Sequence, residues 1–92
     1  MPGKYYAITL NAPVRPTLNA AIEAALSRYD WLRFSNLSYY IYANDESAES
    51  IYNLIKPLFK DTEHLLVVEV LASHRHGWAS PVAVEWFSEP RS

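Results

Sequence analysis

Residues 37–43 read Leu-Ser-Tyr-Tyr-Ile-Tyr-Ala. In this stretch the odd-numbered residues Leu37, Tyr39, Ile41 and Ala43 alternate with Ser38, Tyr40 and Tyr42. A period of two together with a high aromatic content predicts a β-strand. Residues 31–34, Trp-Leu-Arg-Phe, precede it across Ser35-Asn36, so the two segments are predicted to form a hairpin. Tyr40 and Tyr42 share the face opposite Ile41. If that face is also covered, the sheet is buried on both sides here.

An amphipathic helix is predicted on each side of this hairpin. Before it, the spacing of one helical face is followed by Leu18, Ala21, Ile22, Ala25, Leu26 and Tyr29. Thr17 stands in front of them as the predicted cap. After the hairpin, Ser47 is the predicted cap of a second helix, whose apolar face contains Ala48, Ile51, Ile55, Leu58 and Phe59. Pro57 lacks a backbone donor and is predicted to bend or shorten the last turn.

Two further strands are predicted outside the helices. Residues 4–10, Lys-Tyr-Tyr-Ala-Ile-Thr-Leu, form the first and end before a loop with two prolines. Residues 65–71, Leu-Leu-Val-Val-Glu-Val-Leu, are almost continuously apolar, which predicts a central strand covered on both faces. In the tail, Ser80-Pro81 is typical of a helix start, although alternation at residues 82–86 also fits a strand. We favour a short helix at residues 81–87.

The order strand, helix, strand, strand, helix, strand predicts an α+β fold of the ferredoxin-like βαββαβ type. Its sheet is antiparallel, its two helices lie on one face, and a short C-terminal helix or strand follows. No internal repeat or low-complexity segment is visible, so residues 1–92 are interpreted as a single domain. The other face of the sheet is left bare, and a second copy of the chain is its simplest cover. We expect Tyr40, Tyr42 and Trp31 at this homodimer interface.

Composition excludes several classes of protein. The chain has 92 residues, no cysteine and a formal net charge of −2, with 50% hydrophobic and 14% aromatic residues. This aromatic content argues against intrinsic disorder, and the lack of cysteine excludes a disulfide scaffold and a cysteine-ligated zinc site. The first residues lack the apolar stretch of a signal peptide and no apolar run is long enough for a bilayer, so we expect a cytoplasmic protein. The charge gives no electrostatic reason to expect non-specific nucleic-acid binding.

Three pieces of sequence, in this order, carry a family resemblance. They are Tyr-Ala-Ile-Thr-Leu-Asn at residues 6–11, Ser-Tyr-Tyr-Ile-Tyr at 38–42 with Ser-Ala-Glu-Ser-Ile at 47–51, and Leu-Leu-Val-Val-Glu-Val at 65–70 followed by Gly77-Trp78. From about residue 4 to residue 87 the chain resembles the small bacterial SinR-like proteins. These belong with the small CRISPR adaptation subunit and the VapD-type toxin ribonucleases in one superfamily. The resemblance implies a ferredoxin-like fold and a homodimer formed through the sheet faces.

The same resemblance points to the end of the first strand. In the nuclease members, an aspartate there binds a divalent metal across the dimer axis. Thr9 stands in its place in this chain, and Asn11 follows two residues later. Neutral oxygens do not hold Mg²⁺ as a carboxylate does. The resemblance therefore favours the fold and argues against the activity, and it leaves Thr9 and Asn11 as candidate binding residues.

The loop after the last strand contains the most chemically suggestive cluster, His74-Arg75-His76, beside Gly77. Two imidazoles around a guanidinium could bind phosphate or a metal, or supply a general acid and base. A solvated loop of mixed polar residues is the alternative interpretation. His74 and His76 are the candidate catalytic residues, and Arg75 is a candidate binding residue.

Glu69 interrupts an otherwise apolar strand, where an unpaired charge would be costly. It is a candidate metal ligand or general base, or else the structural partner of Arg33, Lys4 or Arg15. Arg33 also lies beside aromatic residues, where a pattern for binding single-stranded nucleic acid begins. The acidic turns at residues 45–46 and 61–63 are interpreted as solvated.

The preferred functional hypothesis is a small non-catalytic homodimer that acts by binding a macromolecular partner, with protein favoured over nucleic acid. A phage-defence or toxin–antitoxin setting follows from the resemblance alone. This hypothesis needs no cofactor. The alternative is a metal-dependent endonuclease that cleaves RNA or DNA with Mg²⁺ or Mn²⁺ at a degenerate first-strand site, using Thr9, Asn11 or Glu69, or the histidine loop.

Overall fold

The computed structural model describes residues 3–13, 15–71 and 76–91. Four strands form one sheet: β1 Lys4–Asn11, β2 Asp30–Ser35, β3 Ser38–Ala43 and β4 His64–Val70. The helices are α1 Pro16–Leu26, α2 Ala48–Ile55 and α3 Pro81–Ser88, and a 3-10 turn at Lys56–Leu58 follows α2. The predicted order of strands and helices is confirmed, and the tail is the helix α3 rather than a strand.

The sheet has the strand order β2-β3-β1-β4, and every neighbouring pair is antiparallel. β3 lies between β1 and β2, which α1 connects. β1 lies between β3 and β4, which α2 connects. Each βαβ unit is therefore split by a strand of the other unit, which is the ferredoxin-like arrangement. The predicted α+β, ferredoxin-like fold is confirmed.

One face of the sheet, called the inner face below, packs against α1 and α2 and forms the core. The register places Ile41 of β3 between Trp31 of β2 and Tyr6 of β1. The largest fully buried side chains are Tyr6, Tyr39, Ile8, Ile22, Leu26, Ile41, Ile51 and Ile55. Strand alternation and helical spacing thus supply one continuous apolar cluster, whose removal from water is the main favourable term in folding.

The predicted start of α2 is confirmed, whereas the predicted start of α1 is wrong. The Ser47 hydroxyl accepts from the Ser50 amide at 3.0 Å, and the Ser50 hydroxyl accepts from the Ser47 amide at 2.9 Å, so α2 begins with a capping box. As predicted, the helix is cut short at Pro57, which lies in the 3-10 turn. The predicted cap Thr17 is wrong, because Pro16 already begins α1 and Arg15 is its N-cap residue.

The prediction that residues 65–71 form a central strand covered on both faces is wrong for β4. It lies at an edge of the sheet, where it pairs with β1 alone. Leu65 and Val67 pack against the core on the inner face, whereas Leu66 and Val68 on the other face are 62% and 44% exposed. The sheet centre belongs to β1 and β3, because each is inserted into the βαβ unit of the other half.

The second face of the sheet, called the outer face below, is covered in part by α3. The Ser80 hydroxyl caps this helix by accepting from the Ala83 amide at 3.3 Å. Phe87 packs edge-on against Tyr40 with ring centroids 5.0 Å apart, and Leu32 and Ala83 are buried at 6% and 2% exposure. The face that the sequence left bare is therefore half covered by the chain's own third helix.

Glu63 corrects the prediction that the acidic turn at residues 61–63 is solvated. Its side chain is 3% exposed and accepts two hydrogen bonds from Arg15, at 2.9 and 2.7 Å. The Lys60 amide donates a third at 2.8 Å. The bonds from Arg15 and then Lys60 hold the pKa of the Glu63 carboxyl below its ordinary value, against the opposing effect of burial. This pair fastens the start of α1 to the turn before β4.

We expect Glu63→Gln to lower the unfolding midpoint at neutral pH, and the difference from wild type to shrink in acid. A depressed folded-state pKa contributes stability above the unfolded-state pKa, which is lost as the pH falls through the folded-state value. The loss should therefore begin near the ordinary value of 4.5 and continue below it. Thermal unfolding across this range measures it, with Asp61→Asn, exposed in the same turn, as the control. A difference that is constant with pH would contradict the assignment.

Candidate interaction site on the outer face

The outer face has an uncovered part beside β4. The register places Thr9 of β1 opposite Leu66 and Ala7 opposite Val68. We call these four residues, which lie side by side on the outer face, the open half. Leu66 and Val68 are its large apolar side chains, and Thr9 is exposed beside them.

A shallow groove of about 550 Å³ lies where the outer face meets α3. Its lining includes Phe34, Tyr40, Leu71, Trp78, Val84 and Phe87. Trp78 is fully exposed, and Leu71 is 71% exposed. His76 also lines the groove and is exposed. The groove therefore adds exposed apolar side chains beside the outer face.

Charge is sparse on this face. Among the strand residues that face outward, Asp30 is the one carboxylate, and it is paired with Arg91. The other charged strand residues, Lys4, Arg33 and Glu69, lie on the inner-face side of the register. Interface cores are depleted in charge in the same way.

Asp30 and Arg91 belong to an aromatic cluster at the α3 end of the outer face. Arg91 Nε donates to Asp30 Oδ2 at 2.7 Å, and Trp86 Nε1 donates to Asp30 Oδ1 at 2.7 Å. Burial raises the pKa of the Asp30 carboxyl, but these two hydrogen bonds and the charge of Arg91 outweigh it, so the pKa lies below its ordinary value. The Arg91 guanidinium lies 4.3 Å from the Trp86 ring centroid, with Tyr5 and Tyr42 nearby.

The candidate binding residues Thr9 and Asn11 lie on the outer side of β1, and both are exposed. Thr9 is opposite Ser38 on one neighbouring strand and Leu66 on the other, while Asn11 is opposite His64. Within residues 3–13, 15–71 and 76–91, no group of three His, Cys, Asp or Glu side chains is placed to hold a metal ion. Thr9 and Asn11 thus have no carboxylate opposite them in the register.

Glu69 and Arg33 have structural partners. Glu69 lies 3.6 Å from Lys4 at the exposed rim of the sheet, which is one of the pairings that the sequence suggested. Arg33 pairs with Glu23 of α1 at 3.2 Å and donates to the Asn36 side chain. The structure therefore places Glu69 beside a lysine and Arg33 against the first helix.

Trp31 does not lie beside Tyr40 and Tyr42. Its partner in the register is Ile41, and it packs against the core on the inner face. Tyr40 and Tyr42 are on the outer face, half-buried among aromatic rings of β1, β2 and α3. The three residues expected at one interface are thus divided between the two faces.

The histidine loop is placed only in part. His76 lies at the groove, whereas His74 and Arg75 are outside the described residues.

The comparisons with known proteins bear on the fold. No protein-family model and no curated protein matches the chain. A solved structure, a hypothetical protein TT1823 from Thermus thermophilus, is similar with a TM-score of 0.57 and 17% identity, covering 75% of this chain and 83% of that one. The likeness supports a small α+β class with a ferredoxin-like sheet. In the described part of the chain, no helix has the length and apolar character needed to cross a membrane.

Proposed function

We propose that the chain is a non-catalytic homodimer that buries the open half of its outer face against a second copy and acts by binding a macromolecular partner. The observation that carries this proposal is the exposure of Leu66 and Val68 beside each other on a face with one paired carboxylate. Exposed apolar patches of this kind mark interaction surfaces. The groove residues Leu71 and Trp78 extend the exposed apolar surface.

A second copy suits this surface because a two-fold axis brings the same patch to both sides. Self-complementary apolar side chains then meet each other, and few charges have to be desolvated. The net charge of −2 favours a protein over a nucleic acid as the further partner.

Self-association at micromolar concentration, measured by sedimentation, tests the proposal. We expect a dimer, and we expect Val68→Lys to weaken it by about 100-fold or more, because two like charges would be buried across the axis. Val82→Lys is the matched control, since Val82 is 66% exposed on α3 outside the open half. A wild-type protein that stays strictly monomeric would overturn the proposed dimer.

Nuclease assays separate this function from the alternative. Purified protein is incubated with RNA and with DNA in Mg²⁺ and in Mn²⁺, and we expect no cleavage, since neutral Thr9 and Asn11 stand at the first-strand position. Cleavage that persists through purification and is lost in Thr9→Ala, Glu69→Ala or His76→Ala would replace the binding function with the endonuclease.

A further inference from the structure

The Arg91 guanidinium is enclosed by a set of side chains that we call the arginine cage: Tyr5, Tyr42, Trp86 and Asp30. Its carbon lies 4.3 Å from the Trp86 ring centroid, 5.7 Å from Tyr5 and 5.8 Å from Tyr42. The Arg91 side chain is 7% exposed, and Asp30 supplies the counter-charge. A buried cation is thus held by three aromatic rings and one carboxylate.

The contacts of the cage match a planar guanidinium and not simply a positive charge. Asp30 accepts from Nε, while Nη1 donates to the Trp86 carbonyl at 2.6 Å and to the Glu89 carbonyl at 3.2 Å. Nη1 also lies 3.3 Å from the Tyr5 hydroxyl. Acceptors in several directions match the fixed fork of arginine, and its face is stacked on Trp86. A lysine ammonium matches neither feature.

The walls of the cage contact one another without the arginine. Tyr5 meets Tyr42 edge-on at 5.0 Å and Trp86 at 5.7 Å. Asp30 is held by the Trp86 indole at 2.7 Å, and the Tyr42 hydroxyl accepts from the Gly3 amide at 3.0 Å. These contacts join β1, β2, β3 and α3, so the shape of the cage is set by the sheet and its covering helix. A site of this kind is preorganised for its ligand.

We propose that the arginine cage is a guanidinium-binding site which Arg91 fills within the chain, and which binds an arginine side chain of a partner polypeptide in its place. Arg91 is tethered a few residues beyond α3, so it competes at an effective concentration in the millimolar range. A partner arginine therefore displaces it only as part of a larger contact. The buried Arg91 Nη2 has no hydrogen-bond partner among the described residues, so the tethered side chain leaves the two N–H groups of this nitrogen unsatisfied, and another arginine can orient them differently.

The test empties the cage with Arg91→Ala and adds N-acetyl-arginine methylamide. We expect saturable binding in the millimolar range, a higher unfolding midpoint and a shift of the Trp86 indole N–H signal in NMR spectra. The corresponding lysine derivative should give neither the shift nor the stabilisation. Wild-type protein should respond far less, because Arg91 occupies the site.

Two further variants make each outcome decisive. Asp30→Asn in the Arg91→Ala background should abolish binding. Arg28→Ala removes an arginine 6.0 Å from the Tyr29 ring and should create no response. If Arg91→Ala does not fold alone, refolding in the presence of the arginine derivative, and not of the lysine derivative, supports the site. Failure of the arginine derivative to bind or to restore folding overturns the proposal, as does an equal response to lysine. Neither result depends on dimerisation.

Discussion

Ile41→Ala is expected to lower the free energy of unfolding by about 3–4 kcal/mol. Ile41 has no exposed surface and lies in the middle of β3, between Trp31 and Tyr6. Truncation removes apolar contacts and leaves a cavity that two hydrogen-bonded neighbouring strands prevent from collapsing. A domain of this size has a total stability of roughly 5–10 kcal/mol, so about half of it would be lost.

Chemical denaturation measures this loss as a lower midpoint with an unchanged slope. Ile41→Val is the graded control and should cost about 1 kcal/mol. Val82→Ala removes an apolar side chain that is 66% exposed on α3 and should change stability by less than about 0.5 kcal/mol. Equal losses for Ile41→Ala and Val82→Ala would contradict the assignment of Ile41 to the centre of the core.

Asp30→Ala is the second change with a large expected effect, about 2 kcal/mol of stability. It leaves the buried Arg91 without its counter-charge and the Trp86 indole without its acceptor. The Asp30 side chain is itself 45% exposed, which keeps the loss below that of a fully buried ion pair. Because the Asp30 pKa is lowered, the wild-type advantage is present at neutral pH and is lost in acid.

The Trp86 indole signal and thermal unfolding together follow this change. Trp86→Phe keeps a ring but removes the donor to Asp30, and it should cost about 1 kcal/mol. A loss in Asp30→Ala smaller than that in Trp86→Phe would show that the ion pair contributes nothing beyond the indole hydrogen bond.

The helices and the hairpin were predictable because their signals are local. A 3.6-residue spacing from residue 18 onward predicts α1, although the helix ends at Leu26 and Tyr29 of the predicted face lies beyond it. An alternation at residues 37–43 predicts β3. The Ser47 cap and the stop at Pro57 also depend on neighbouring residues alone. These local features do not depend on which other elements pack against the segment.

Trp31 shows how a one-residue error in the predicted turn changes the face of the sheet on which a candidate interface residue is placed. A turn at Ser35-Asn36 would place Trp31 opposite Tyr40, on the outer face. The actual turn is Asn36-Leu37, with an irregularity between Arg33 and Ser35, and this places Trp31 opposite Ile41. Since side chains alternate strictly along a strand, a slip of one residue moves Trp31 to the other face.

The remaining differences concern contacts between distant parts of the chain. An apolar run such as β4 has the same composition at the centre of a sheet and at an edge with one exposed face. Glu63 is an ordinary turn carboxylate until Arg15, which precedes α1, is folded against it. The arginine cage combines β1, β2, β3 and α3 with Arg91, and no spacing along the sequence brings these together.

The position of β1 has a consequence for how the chain folds. β1 is the first strand, yet it pairs with both β3 and β4, so Tyr6 is opposite Ile41 on one side and Glu69 on the other. The β2–β3 hairpin can form early because its strands are neighbours in sequence. The centre of the sheet has to wait for loop closures that span most of the domain, and such non-local pairing slows the search for the native topology. Until β4 pairs with it, β1 is an edge strand with unpaired backbone groups, although it lies between two strands in the finished sheet.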